Sequence, residues 1–225
     1  MTGHCWRIGN MGIEVIDLGL VSYEEAIRVQ EDLLEERASG RIEDTILMLE
    51  HPPVVTLGRS ASRVNIRNER FFEERGIQIV ASPRGGGITY HSPGQLIVYP
   101  VIRLEPPFRD VSGFIDVLEE AAVQGLDDLG VRSLRAPGKR GVWAGGKKIA
   151  FIGIKLRKWI TCHGAAININ NDVLPFEMID PCGEAEIKVT SASIINGADL
   201  DMKNAKKVFA RRFSEVVERS VKNAV

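Results

Sequence analysis

"KKIAFIGIKLRKWITCHGAAININ", Lys147 to Asn170, is the stretch on which the fold turns. Two apolar runs, "KIAFIGIKL" and "GAAININ", flank the segment "RKWITCH", a pattern that reads as two strands of a hairpin. Working outward, "QLIVYPVIRL", "GITYH" and "GIQIVAS" upstream read as further strands. So do "DTILMLEH" and "PVVTLGR", separated by Pro52-Pro53 because proline cannot donate to a ladder. Helical periodicity appears in three places. "SYEEAIRVQEDLLEERASG" opens with Ser22 and Glu25 in capping-box spacing, puts Ala26, Val29, Leu33 and Leu34 on one face, and closes at Gly40. "SGFIDVLEEAAVQGLDDLG" carries a stripe from Phe114 to Leu129, and "NAKKVFARRFSEVVERSV" a stripe from Val208 to Val217. Strands come in runs and helices singly, so the fold class is α+β, with a mixed, largely antiparallel sheet flanked by helices. No repeat, low-complexity tract or Pro/Ser-rich linker interrupts residues 1–225, which read as one domain.

The 225 residues carry a formal net charge of -1, which argues against a nucleic-acid binder working through a global positive field. The N-terminus lacks the pattern of a signal peptide, and no apolar run reaches the length of a membrane span. The cysteines, Cys5, Cys162 and Cys182, are odd in number and without a C-x-x-C, as expected of reduced thiols in a cytoplasmic enzyme. The four histidines and the carboxylates show no metal-ligand spacing, so no metal or other cofactor is expected. Nothing requires more than a monomer.

Three stretches carry residues capable of chemistry. In "RGGGITYHSPGQ", Arg84 to Gln95, glycines let backbone approach a ligand, and Arg84 and His91 bracket the turn; an ordinary turn is the plainer alternative. "GVWAGGKK" matches a phosphate loop from Gly141 to Lys147, but its eighth position is Lys148 instead of Ser or Thr, and "IAFIGIKL" is strand-like instead of helical. Lys147 reads as a solvated strand end. Lys148 begins the alternation Ala150, Ile152, Ile154 and should share their inward face, where a desolvated amine can act as a base or hold a thiolate. "DPCG" bares the thiol of Cys182 between Pro181 and Gly183. Cys162 and His163, adjacent on a strand, should point to opposite faces and form no nucleophile–base pair. Cys162 then reads as a core residue, Cys5 as incidental, and His51 as a structural hydrogen-bonder.

In order, "EHPPVVTLGR", "RGGGITYHSPGQLIVYPVI", "GVWAGGKKIAFIGIKLRKWITCHGAAININND" and "PFEMIDPCG" closely resemble the octanoyltransferases of lipoate biosynthesis, from about Glu50 to Ser191. The resemblance implies the fold of biotin and lipoate protein ligases. It also implies an acyl-thioester cysteine at Cys182 and an activating lysine at Lys148. The substrate-lining segments would fall on Arg84, Gly85, Gly86, Gly87, Ile88, Thr89, Tyr90 and His91, on Phe151, Ile152 and Gly153, and on Gly164, Ala165 and Ala166. Gly87, Ser92 and Cys162 depart from the family's usual residues. The implied donor is octanoyl-acyl carrier protein. The implied acceptor is a lysine of a lipoyl domain, in a 2-oxoacid dehydrogenase E2 subunit or the glycine cleavage H protein.

On this reading the glycine turn gives an acyl chain room against backbone, while Tyr90 and His91 shape the polar end. The local cations Lys155, Arg157 and Lys158 are candidates for docking an acidic carrier. Two other readings stay open: an ATP-dependent lipoate ligase on the same fold, and a non-catalytic module that binds acyl carriers. In a thioesterase variant, water would intercept the acyl-enzyme.

Overall fold

The computed structural model describes residues 4–9, 12–106, 109–181 and 187–223. In chain order the described elements are β1 (His4–Ile8), β2 (Ile13–Leu20), α1 (Tyr23–Ala38), β3 (Thr45–Glu50) and β4 (Val54–Leu57). Next come α2 (Glu69–Glu73), β5 (Gln78–Ala81), β6 (Ile88–His91), β7 (Gln95–Val101) and α3 (Val111–Asp128). The chain continues through β8 (Val142–Ala144), β9 (Lys147–Arg157), β10 (Ile160–Asn168), α4 (Ala192–Asn196) and α5 (Met202–Asn223). A short 3₁₀ turn, Leu174–Met178, follows β10.

Seven strands form one sheet in the order β1-β2-β3-β7-β10-β9-β8, and a second sheet has the order β5-β4-β6. Only β2–β3 and β4–β5 pair in parallel, so the sheets are mixed and largely antiparallel, as the runs of strands indicate. The central strands are apolar at nearly every position because both faces of the large sheet are covered. Ile46, Met48, Leu96, Val98, Ala165 and Ile167 pack on one side with Phe114 and Leu118 of α3 and Phe209 and Phe213 of α5. Their strand neighbours Leu47, Leu49, Ile97, Tyr99 and Ala166 pack on the other, with Ala26 of α1 and Val55, Ile88 and Tyr90 of the small sheet.

The β9–β10 hairpin is tighter than "RKWITCH" indicates. Lys158 and Trp159 alone make the turn, both with positive φ (52° and 60°), and Ile160 to His163 belong to β10. Two-residue turns of this hand suit the twist of antiparallel strands. Gly145 and Gly146 make an equally short turn between β8 and β9, so "GVWAGGKK" builds a hairpin and opens no helix. Ser22 caps α1 as its spacing indicates, its Oγ accepting from the N–H of Glu25 at 3.2 Å.

Candidate active site

The turn from Arg84 to Gly87 joins the small sheet to the large one. The N–H of Gly85 donates to the carbonyl of Ile154 on β9 at 2.8 Å, while the loop at Gly58 to Ser60 donates to the carbonyls of Gly87, Arg84 and Gly86. This clasp leaves no room for side chains. A Cβ on Gly58 would lie 2.3 Å from the Gly86 oxygen, and one on Gly153 would lie 2.8 Å from the Gly85 oxygen. The glycines therefore serve backbone-to-backbone approach as well as ligand space.

Between this turn and strands β9 and β10 lies a cavity of about 440 Å³, counted to its open mouth. Arg84, Gly86, Gly87, Ile88, Thr89, His91, Phe151, Ile152, Gly153, Gly164, Ala165 and Ala166 line it, so three separate sequence segments converge there. Two of the expected residues do not. Gly85 is used in docking on β9, and Tyr90 turns to the opposite side of β6 from Thr89 and His91, where its ring packs edge-on against Phe176 (5.8 Å) and near Phe72. The polar end is instead completed by Tyr99 and His163, neither of which the motifs single out.

The polar wall is buried and tightly specified. Arg84 donates through Nη2 to the carbonyl and hydroxyl of Thr56 (2.9 and 2.8 Å) and through Nη1 to the carbonyl of Gly85. Gln95 donates to Tyr90 O and Asn168 Oδ1, so its own oxygen faces His91, whose Nδ1–H donates to it at 2.7 Å. His51 donates to the carbonyl of Val21 at 2.9 Å and accepts from Tyr99 Oη at 3.1 Å, the structural role read from its sequence context. Burial holds all three imidazoles neutral: His51 is pushed down to about 4, His163 to about 3, and His91 well below the ordinary value. The Arg84 guanidinium adds to the effect on His91 and His163. Thr89 Oγ1 and His163 Nδ1, both buried, have no hydrogen-bond partner among the described residues.

Two expected strand alternations are reversed here, each by a partner distant in sequence or on another strand. His163 has φ +56°, and its N–H is taken by Gln30 Oε1 of α1 at 2.6 Å, so its ring swings to the α1 side and stacks near Tyr23 at 6.5 Å. Cys162 faces the same helix, packed with Leu34, Val101 and Ile160. The two adjacent residues thus share a side. Burial nevertheless raises the Cys162 thiol to about 11, which leaves it the inert core residue expected of it.

Lys148 is 2% exposed, whereas Lys147 is exposed, as expected of the pair. A register shift between β8 and β9 places Val142 opposite Ala150 and Trp143 opposite Lys148, so Ile149 is the extra residue of a bulge. Ile149, Ala150 and Ile154 pack toward α3 and α5, but the Lys148 ammonium lies 5.0 Å from the ring of Phe151, on the cavity side, and 5.1 Å from that of Trp143. Lys148 is buried, but on the face opposite to Ala150.

Cys182 lies outside the described residues; the chain on either side of it is anchored. Ile179 bridges to Ile66, and the N–H of Asp180 donates to Asn65 O at 2.7 Å. Beyond it, Lys148 N–H donates to Lys188 O at 2.8 Å, and Thr190 N–H donates to Lys148 O at 3.0 Å. Phe176 stacks on Phe151 at 5.0 Å. The described chain that follows Cys182, from Lys188 to Thr190, is thus held against the backbone of Lys148.

The Lys155, Arg157, Lys158 cluster is partly neutralised, because Arg157 and Lys158 both pair with Glu35 of α1 (2.7 and 3.3 Å). Among the described residues no group of His, Cys, Asp and Glu could hold a metal ion, and no helix is long and apolar enough to cross a membrane.

The lipoyl protein ligase A/B catalytic domain family matches residues 22–214. An octanoyltransferase of Geobacter metallireducens is 40% identical over 197 residues, covering 88% of this chain and 90% of that protein. Among solved structures, lipoate-protein ligase A bound with ATP superposes with a TM-score of 0.68 at 18% identity, covering 92% of this chain and 85% of its own. The biotin protein ligase of Aquifex aeolicus with biotin and ATP gives a TM-score of 0.60 at 18% identity, covering 91% and 70%. The fold is that of biotin and lipoate ligases.

Proposed function

The chain belongs to the lipoyl protein ligase A/B catalytic family, among its octanoyltransferases, and from that premise we propose that it moves octanoyl from acyl carrier protein to a lipoyl-domain lysine through a thioester on Cys182. Octanoyl transfer in protein lipoylation is its activity, and an acyl donor and a lipoyl-domain acceptor are its partners. The observation that carries the finer mechanism is the buried Lys148 side chain, set beside the cavity and pinned through its backbone to the segment 188–190 that follows Cys182. An ordinary thiol is only a few per cent ionised near neutral pH, so a nucleophilic cysteine needs such a cation or base.

In the first half-reaction the Cys182 thiolate attacks the donor carbonyl, the carbonyl–sulfur bond to the carrier breaks, and the carrier thiolate takes a proton from the Lys148 ammonium. In the second, the acceptor amine attacks the acyl-enzyme, the now neutral Lys148 takes its proton, and the Cys182 thiolate leaves beside the regenerated ammonium as the amide forms. The activated acyl bond is handed on, so no ATP is consumed. The tail would lie along Ile88, Phe151, Ala165 and Ala166 and the glycine backbone. Burial of its methylenes at about 0.8 kcal/mol each would contribute on the order of 5 kcal/mol to donor binding. E2 subunits and the H protein are the acceptors that fit, and the cytoplasm, which holds reduced thiols, is the compartment that fits the chemistry.

Intact-mass measurement after mixing with octanoyl-acyl carrier protein, without ATP, tests the reading. One octanoyl adduct is expected, labile to hydroxylamine, mapping to Cys182 and chased onto a lipoyl domain. An adduct elsewhere, or transfer that needs ATP and survives Cys182→Ala, would overturn it.

A further inference from the structure

A second concavity opens on the far side of the Phe151–Phe176 stack. It is a groove of about 1140 Å³, counted with its open side, whose apolar floor includes Phe176, Ile179 and Val189. Among the described residues its rim carries Arg67, Lys147 and Lys188 against one carboxylate, Glu177. Arg67 is paired with Asp180, but Lys147 and Lys188 have no ion-pair partner among the described residues. Lys147 also lies in a basic stretch: from Leu129 to Asn171 the chain has nine lysines and arginines and no aspartate or glutamate.

Position gives the groove its meaning. Lys147 adjoins Lys148 on β9, and Lys188 accepts the Lys148 N–H on its carbonyl, so the groove begins one residue from the buried ammonium. The first cavity begins at Phe151, 5.0 Å from the same side-chain nitrogen. A thioester has two substituents that diverge from its carbonyl, and here two concavities diverge from Lys148. One has a mostly apolar lining and suits a hydrocarbon tail. The other joins apolar side chains to Lys147 and Lys188, which have no ion-pair partner among the described residues, and suits a long amide-rich thiol ending in an anion.

Resting on the acyl-transfer reading above, we infer that this groove takes the leaving arm of the donor, a phosphopantetheine-type thiol whose phosphate pairs with Lys147 and Lys188. Lysine contacts phosphate as a point charge and arginine substitutes for it with a fork of donors. At exposed positions such contacts are screened by salt.

The test compares acyl-enzyme formation from octanoyl-pantetheine, which lacks the phosphate, octanoyl-4′-phosphopantetheine and the octanoylated carrier. In the wild type the phosphate should raise kcat/KM about tenfold at low salt, a size in keeping with two partly solvated charge contacts. Lys147→Ala with Lys188→Ala should collapse the ratio between the two small donors to about one, and Lys147→Arg with Lys188→Arg should restore it. Both positions are exposed, so thermal melting should not move. A wild-type ratio of one, an equal loss with both small donors, or a defect confined to the whole carrier, which would point to an acidic protein face, overturns the inference. If no donor acylates the wild type, the acyl-transfer reading itself falls, and this one with it.

Discussion

Across the same strands of the large sheet, the two faces are built from different materials. Toward α3 and α5, Ile46, Met48, Val98, Leu118, Phe114 and Phe213 pack in one apolar cluster. Toward α1 and the small sheet, Arg84, His91, His163 and Tyr99 are buried around a cavity with His51 against Tyr99, and Thr89 and His163 each keep a polar atom without a partner among the described residues. Burying polar groups costs stability unless each is hydrogen-bonded, so the second face is expensive to build. The first face supplies the stability that lets the second be shaped for binding.

Substitutions that separate stability from chemistry probe this division most strongly. Lys148→Ala and Cys182→Ser should each lower acylation by at least about a thousandfold, as expected when one member of a nucleophile–activator pair is removed. Melting temperature should change little for Cys182→Ser. Leu118→Ala, on the opposite face, should cost about 2–5 kcal/mol of stability yet leave acylation per folded molecule intact. Single-turnover mass spectrometry beside urea unfolding would read both, and a thousandfold rate loss in Leu118→Ala would abolish the division.

Next in size is the clasp over the cavity. Gly58→Ala would force its Cβ to within 2.3 Å of the Gly86 oxygen, and Gly164→Ala would force one to within 2.2 Å of the Val98 oxygen. Each should destabilise by about 1–3 kcal/mol through backbone displacement and weaken donor binding. A variant that melts normally and binds donor normally would show that the glycine contacts are dispensable.

The two faces should also respond differently to acid. His51 and His163 have folded values of about 4 and 3, against 6.5 for the free side chain. The unfolded chain therefore binds more protons below pH 6.5. The stabilising contribution of each neutral imidazole is full above pH 6.5 and is lost as pH falls toward 4 and 3. The loss is about 1.4 kcal/mol per pH unit for each, or about 2 kcal/mol apiece by pH 5. His91 acts in the same direction. Urea unfolding at pH 7 and pH 5 should show the drop, and His163→Leu should reduce its slope by one proton. An unchanged slope would mean that His163 is protonated freely in the folded state.

The smallest effect concerns the second buried thiol. Cys162→Ala should cost about 1 kcal/mol of stability and leave acylation within about twofold, because burial keeps that sulfur protonated. A large loss of rate would make Cys162 part of the chemistry.

Much of this was legible in residue order alone. Alternating apolar runs and punctuating prolines and glycines announced the α+β class and most of the strands, because backbone periodicity is a local property. The apolar alternation marked Lys148 as the buried lysine, though on the other face, and the ordered motifs gathered most of the cavity lining, from Arg84 through Ala166. Tyr99 was missed and His163 was weighed only as a partner for Cys162, because strands β7 and β10 alone bring them to one cavity, and Tyr90 and Gly85 were assigned to a wall they do not form. Chain order by itself determined which residue types are available and the period with which they repeat. Which side each one faces was decided only in three dimensions. The bulge at Ile149 and the left-handed turn at His163 each reverse an alternation. The cause in each case is a distant partner: the register of β8 against β9, and the Gln30 side chain reaching across from α1.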